Sequence, residues 1–285
     1  MEKEPFGCYN RVIAPKRFFC VIYYQISYQK GLVNIMKKYD NVPGGVTTDR
    51  AITQFSTMNA LLGRIYNGAF AVEEVEAAGT IGLGCGDYMD GEMIMTDSTC
   101  HIARITDALT RMDPKEQAPF AQVAPFKPQG HAHLQGTTKA DLTELLLKAV
   151  GSENYFIAMT ITGTFSNMHL RLAPPAPKDG DQPSLVELFS KQEEFQPKNV
   201  KGTVVGFWAP DAYQGVTVTG LHVHFMDENK TVGGHILDFA VDDAELAYEV
   251  YGNFSLRLPV SPAFKKAELN HDGDDAHAAI KHVEG

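Results

Sequence analysis

The sequence lacks the cysteine spacing that indicates a zinc knuckle or a disulfide framework. Its four cysteines, Cys8, Cys20, Cys85 and Cys100, include no Cys-x-x-Cys pair, so we expect free thiols. Basic residues are also scarce, since 25 Lys and Arg stand against 35 Asp and Glu, which gives a net charge of -10. No Lys/Arg cluster is interleaved with aromatic residues. This balance argues against nucleic-acid binding.

Long apolar runs are absent as well. The apolar stretch at residues 18–24 follows Lys16 and Arg17, as in a weak signal peptide, but it is far too short to cross a membrane. No small-x-small cleavage site accompanies it. We therefore expect a soluble protein without a membrane partner, located in the cytoplasm, with secretion left open.

The composition is that of an ordinary globular protein. The 285 residues are 44% hydrophobic and 21% charged, which suffices for one large or two medium domains. Strand-like runs outnumber helical periodicities and are interspersed with them, which predicts an α+β fold with two sheet-based lobes of mixed or antiparallel strands and a few helices. We assign residues 1–50 to an extension of unknown role, 51–138 to an N-terminal lobe and 139–285 to a C-terminal metal-binding lobe. A single continuous domain over residues 51–285 is the alternative.

Three local predictions concern the C-terminal half. Apolar residues at helical spacing predict a helix over residues 139–150. Two strands are expected at residues 155–162 and 165–172, joined through Gly163. Residues 184–195 are predicted to be helical with an acidic outer face.

The most informative motif is a set of three histidines beside a polar turn. His222 and His224 occupy positions i and i+2 of a strand-like run and so share one face. If the turn at residues 227–231 closes a hairpin, His224 faces His235 on the returning strand. Three imidazoles that converge in this way, with an open coordination position, are typical of catalytic zinc. Three unrelated polar strand residues are the alternative interpretation.

Charged residues that could act beside a metal are fewer. Glu92, in Asp90-Gly91-Glu92, stands at a loop-to-strand junction, where a carboxylate can act as an acid or base. Arg171 ends a predicted strand, where a guanidinium can clamp a carboxylate through two parallel hydrogen bonds. A solvated turn carboxylate and an ordinary surface arginine are the alternatives. A second His-x-His, at His131 and His133, has no third partner.

Four stretches, in this order, carry a family resemblance: Phe55-Ser56-Thr57-Met58-Asn59-Ala60-Leu61-Leu62, Met89-Asp90-Gly91-Glu92-Met93-Ile94, Asn199-Val200-Lys201-Gly202-Thr203-Val204-Val205-Gly206-Phe207 and Gly233-Gly234-His235-Ile236-Leu237-Asp238-Phe239. With these stretches, residues 52–285 resemble the α-acetolactate decarboxylase family. The resemblance implies a zinc-dependent lyase of acetoin biosynthesis, commonly a homodimer, that converts the 2-hydroxy-3-oxo acid 2-acetolactate to acetoin and carbon dioxide.

The resemblance also implies roles for individual residues. His222, His224 and His235 are expected to bind Zn²⁺, and Glu92 and Arg171 fall on catalytic positions. A second catalytic glutamate is expected from the tail, where Val283-Glu284-Gly285 fits and assigns Glu284. Cys85 replaces a family threonine that lies close to the substrate, so we expect a substrate-proximal thiol that alters fit or rate.

The chemistry of 2-acetolactate agrees with this set of residues. Its ketone and adjacent hydroxyl can chelate a three-histidine zinc, and loss of carbon dioxide leaves an enediolate that the metal stabilises. Arg171 would orient the departing carboxylate, while Glu92 and Glu284 would handle protons. No organic cofactor is needed. A zinc hydrolase, which has no His-Glu-x-x-His helix here to support it, and a non-catalytic metal-binding β-barrel module are the alternatives.

Overall fold

The computed structural model describes residues 45–106 and 109–270 of the chain. Among these residues, a first sheet has seven mainly antiparallel strands. They are β1 (Ile52–Phe55), β3 (Ile81–Cys85), β4 (Glu92–Thr96), β5 (Thr99–Ala103), β6 (Thr110–Arg111), β8 (Phe120–Ala124) and β15 (Phe254–Arg257), in the spatial order β15-β1-β8-β3-β4-β5-β6. A small separate ladder pairs β2 (Phe70–Ala71) with β7 (Gln117–Ala118).

The second sheet is antiparallel and closes on itself. Its strands are β9 (Gly130–Leu134), β10 (Phe156–Leu172), β11 (Glu193–Phe195), β12 (Lys198–Ala209), β13 (Gly220–Asp227) and β14 (Gly233–Tyr251). Strand β10 pairs with both β12 and β14, and β13 joins β12 to β14, so these four strands form a ring. The edges of the four long strands are thereby paired with each other.

The described residues also form five α-helices. They are α1 (Met58–Leu62), α2 (Val72–Glu76), α3 (Lys139–Val150), α4 (Leu185–Phe189) and α5 (Pro262–Lys266). Helix α3 has the bounds predicted from the sequence, because Thr138 caps its first turn and Gly151, at φ +71°, ends it in a left-handed conformation. Its buried face packs Leu142 and Leu146 against the second sheet. The predicted α+β fold of two sheets with a few helices is confirmed.

The predicted break at Gly163 is wrong, because β10 runs without interruption from Phe156 to Leu172. Glycine at this position allows β10 and β14 to approach each other closely, and it does not form a turn. A Cβ at Gly163 would lie 2.3 Å from Asp243 O and 2.5 Å from Ala244 Cβ on β14, so only glycine lets the two strands meet here. Register shifts between Thr164 and Asn167 bend the strand just beyond this point.

The helix predicted over residues 184–195 is too long. Helix α4 ends at Phe189, and after three intervening residues Glu193–Phe195 form β11, which pairs with the last three residues of β10. The acidic residues that suggested a solvated helix face, Glu193 and Glu194, are instead exposed residues of an edge strand. Long-range pairing with β10 therefore overrides the local helical pattern.

The two sheets share a core that places the histidines. Ile81, Leu83 and Ile94 of the first sheet pack against Val205 and Phe207 of the second. Since side chains alternate along a strand, His222 and His224 lie on the face of β13 that meets the first sheet. The chain also contains, within its described residues, no helix long and apolar enough to span a membrane.

Candidate active site

A tight turn fixes the register of the histidine hairpin between β13 and β14. The Asp227 carboxylate accepts hydrogen bonds from the backbone N–H groups of Thr231, at 2.6 Å, and Val232, at 2.7 Å. Lys230 takes up the left-handed turn position at φ +55°. As predicted, His224 and His235 are directly opposite each other in this register. Asp227 therefore contributes to the site indirectly, because it stabilises the turn that aligns the two strands carrying the histidines.

The three histidines converge in the interior of the protein. The ring centroids of His222, His224 and His235 lie 5.0 to 5.3 Å apart, and one nitrogen from each ring lies within 4.8 Å of the others. All three side chains are buried. Among the described residues no other group of three His, Cys, Asp or Glu has a geometry suited to a metal ion, and His131 and His133 contribute no such site.

The state of the rings suits metal binding. Burial lowers the pKa of all three imidazoles, to about 3 for His224, with a further lowering from Arg171. Neutral imidazole is the form that ligates metals. His224 Nδ1 lies 2.9 Å from the backbone oxygen of Met93, which makes Nδ1 the donor and leaves the lone pair on Nε2. Three neutral nitrogen donors fit a divalent metal of the zinc type.

Glu92 reaches this site from β4 because of the loop before it. Gly91 adopts φ +93°, and a Cβ there would lie 2.4 Å from Ala103 O, so this position of Asp-Gly-Glu requires glycine. Asp90 points elsewhere and pairs with Arg104 at 3.0 Å. Glu92 itself is 7% exposed, and its Oε2 lies 3.4 Å from His224 Nε2.

Glu92 and Arg171 form a buried ion pair. Arg171 Nη1 donates to Glu92 Oε1 at 2.7 Å, and the arginine is 1% exposed. Burial raises the pKa of Glu92, while the positive charge and hydrogen bond of Arg171 oppose that rise. Arg171 also sits directly opposite His235 across β10 and β14. The sequence predicted both residues separately, whereas their contact with each other is a finding of the structure.

Cys85 and Glu284 are the other two residues predicted to belong to the site. Cys85 ends β3 directly opposite Glu92, and its Sγ lies 3.6 Å from Met89 Sδ in an apolar cluster. This places the thiol beside Glu92 but directs it toward methionine. Glu284 lies outside the described residues.

Lys139 is a neighbour of the site that sequence reasoning missed. Its Nζ donates to the backbone oxygens of Ile236, at 3.2 Å, and Leu237, at 3.3 Å. The ladder with β10 skips Leu237, which makes a β-bulge two residues beyond His235. A cation in the first turn of α3 interacts unfavourably with the helix dipole. The contact with the β14 carbonyls therefore explains a lysine at this position better than helix stability does. An apolar-periodicity pattern gives no signal for such a contact.

We expect Lys139→Met to weaken metal binding about 10- to 100-fold, the range typical of groups that orient metal ligands. The physical reason is loss of the cation that holds the bulged carbonyls next to His235. Competition with a chromogenic chelator measures the affinity. Lys148→Met, at the other end of α3, is the matched control and should bind metal like the unsubstituted protein. Equal affinities in the two variants would contradict the assignment.

Comparisons with known proteins agree with one another. The family model for alpha-acetolactate decarboxylase matches residues 52–271. The alpha-acetolactate decarboxylase of Brevibacillus brevis is 33% identical over 217 residues, 76% of this chain and 75% of that protein. That of Methylococcus capsulatus is 34% identical over 229 residues, 80% and 87% of the two chains. The crystal structure of the Bacillus subtilis strain 168 enzyme superposes with a TM-score of 0.78 at 31% identity, over 82% of this chain and 99% of that one.

Proposed function

Because the chain belongs to the α-acetolactate decarboxylase family and is a carboxy-lyase, we propose that it converts 2-acetolactate to acetoin and carbon dioxide with a zinc ion bound by His222, His224 and His235. The observation that carries the proposal is the convergence of these three buried imidazoles on a buried Glu92–Arg171 pair. A desolvated arginine beside the metal ligands suits a substrate that carries a carboxylate, as 2-acetolactate does.

Arg171 binds the carboxylate that is lost. A guanidinium presents five N–H donors in a planar fork. A planar fork matches the geometry of a carboxylate and fixes the orientation of the C–C bond that breaks. The burial of Arg171 strengthens this contact because water competes poorly for it.

Glu92 handles the proton. When the bond to the carboxyl carbon breaks, carbon dioxide leaves and the electron pair stays on the carbon that carried it, so one proton must be delivered there. Burial raises the pKa of Glu92, which brings a carboxyl group closer to the range where it can both take and give a proton. Its Oε2 lies 3.4 Å from His224 Nε2, which supports a proton exchange beside the metal ligands.

The three histidines hold the metal. Zinc, when bound, supplies a Lewis acid that stabilises negative charge as it develops. The ring of four strands and the adjoining first sheet bury the ligands, so the charge develops in a medium of low dielectric constant.

Glu284 is proposed as the second proton-transfer residue. Truncation after Lys281 removes it and leaves the other five proposed site residues in place. We expect bound zinc and thermal stability to be retained while turnover falls about 100-fold or more, the scale of losing a positioned proton donor. Steady-state kinetics and metal analysis of the truncated protein are the measurements. Glu284→Gln in the full-length chain separates loss of the carboxylate from loss of the tail. Unchanged kinetics in both variants would remove Glu284 from the mechanism.

The reaction itself is tested by product analysis. Purified protein incubated with racemic 2-acetolactate should release acetoin and carbon dioxide in equal amounts, above the spontaneous rate. Heat-denatured protein gives the background. Release of neither product would contradict the proposal, and cleavage of ester or amide substrates instead would favour the zinc hydrolase. The homodimer and the cytoplasmic location stay predictions from the sequence, and sedimentation of the purified protein tests the first of them.

A further inference from the structure

An aromatic ring covers the guanidinium of Arg171. The Arg171 Cζ lies 4.3 Å from the centroid of the Phe189 ring in α4. Both side chains are buried, with exposures of 1% and 6%. The hydrogen bond to Glu92 engages one terminal nitrogen of the guanidinium, whereas its central carbon lies over the face of the Phe189 ring. Contacts from two directions restrict the movement of the group.

The ring is placed by contacts that do not involve Arg171. Helix α4 begins with a capping box, in which Ser184 N donates to Glu187 Oε2 at 2.7 Å and Glu187 N donates to Ser184 Oγ at 3.2 Å. Just before it, Tyr66 Oη donates to Pro183 O at 3.0 Å. The start of α4 is therefore fixed independently of the charge that Phe189 covers.

The chain between β10 and α4 is also hydrogen-bonded to the loop that precedes Glu92. Ala176 N donates to Tyr88 O at 2.7 Å, and Tyr88 and Met89 both take left-handed backbone conformations, at φ +56° and +61°. Residues at such angles are held by their surroundings. The segment from residue 174 to Phe189 thus braces Arg171 on one side and the loop before Glu92 on the other.

We propose that Phe189 is a positioning residue, which holds the plane of the Arg171 guanidinium so that its fork stays aligned with the substrate carboxylate. The inference rests on the proposed function, because it assumes that Arg171 binds that carboxylate. Phe189 also belongs to an apolar cluster with Leu185 and Leu188. The test must therefore distinguish the contact of its aromatic ring with Arg171 from its contribution to packing in this cluster.

Phe189→Leu removes the ring face and keeps an apolar side chain in the cluster. We expect its turnover to fall about tenfold, the loss that corresponds to a desolvated cation–π contact, with metal content unchanged. Phe189→Tyr should restore most of the turnover because it keeps the aromatic face. Leu185→Val, at the other end of α4, is the control for packing and should lower thermal stability without lowering turnover.

Two further readouts separate positioning from packing. Binding of 2-hydroxyisobutyrate, an unreactive 2-hydroxy acid, is measured by calorimetry and should weaken about tenfold in Phe189→Leu. In a double-mutant cycle, Phe189→Leu should cost far less when Arg171→Lys is already present, since an ammonium has no plane to align.

The outcomes are distinguishable. An active protein in which Phe189→Leu leaves turnover and 2-hydroxyisobutyrate binding unchanged would overturn the role of Phe189 alone. Additive losses of turnover in the double-mutant cycle of Phe189→Leu and Arg171→Lys would also overturn the role of Phe189. A protein that neither binds this acid nor forms acetoin would overturn the proposed function and this inference together.

Discussion

His224→Ala is expected to abolish both metal binding and decarboxylation. The imidazole supplies one of three converging nitrogens, and its Nδ1 contact with Met93 O orients the ring, so no neighbouring side chain replaces it. We expect zinc content to fall to background and turnover to fall about 1,000-fold or more, since a Lewis acid contributes several kcal/mol to the stabilisation of developing charge. His222→Ala and His235→Ala should behave alike. Metal analysis and acetoin release measure the two effects.

His133→Ala is the matched control for these variants. This histidine lies on β9, partly exposed, where its Nδ1 is 2.8 Å from Glu245 Oε1. Surface pairs of this kind contribute little to stability, so His133→Ala should keep its zinc and its activity. Full metal content in the variant that lacks His222, His224 and His235 would exclude the proposed metal site.

Arg171→Lys is the second substitution with a large expected effect. The charge is kept, but an ammonium cannot form two parallel hydrogen bonds to a carboxylate or present a plane to Phe189. We expect turnover to fall about 100-fold or more, because small misplacements of a bound substrate carry losses of that order. Steady-state kinetics on 2-acetolactate provide the measurement, and zinc content should stay unchanged.

Lysine is chosen because alanine would confound the result. Removing the charge altogether would leave Glu92 buried without its partner, which typically destabilises a protein by about 3–5 kcal/mol. Arg257→Lys is a suitable control, since Arg257 also lies over an aromatic ring, with its Cζ 5.0 Å from the centroid of Phe55, but belongs to edge strand β15. It should retain normal turnover. Near-normal turnover in Arg171→Lys would assign Arg171 a structural role.

The hairpin was predictable because its determinants are local. Alternation of side chains along a strand and a polar turn of fixed length are enough to set His224 opposite His235. Helix α3 was predictable for the same reason, since its cap at Thr138 and its ending at Gly151 lie in the sequence next to the helix. The positions of Glu92 and Arg171 made them candidates, and the resemblance favoured catalytic roles over the alternatives of a solvated carboxylate and a surface arginine.

What the sequence missed depends on partners distant in the chain. From the sequence alone, Gly163 indicates a break between two strands, and only the structure shows that β14 approaches it closely. The segment after Phe189 has a local helical pattern, and its pairing with β10 cannot be inferred from that pattern. The contacts of Phe189 with Arg171 and of Lys139 with the bulge at Leu237 likewise join elements that no local pattern relates. Tertiary packing decides such positions, and intrinsic propensity only biases them.

Titration of the metal-free protein with zinc tests the central claim most directly. Apoprotein prepared with a chelator is supplied with increasing zinc while acetoin formation from 2-acetolactate is followed. Activity should rise from background in proportion to added zinc and stop rising at one equivalent per chain, the stoichiometry of the single three-histidine site in the described residues. Full activity in metal-free protein, or a break at another stoichiometry, would contradict the proposal that these histidines bind the catalytic metal.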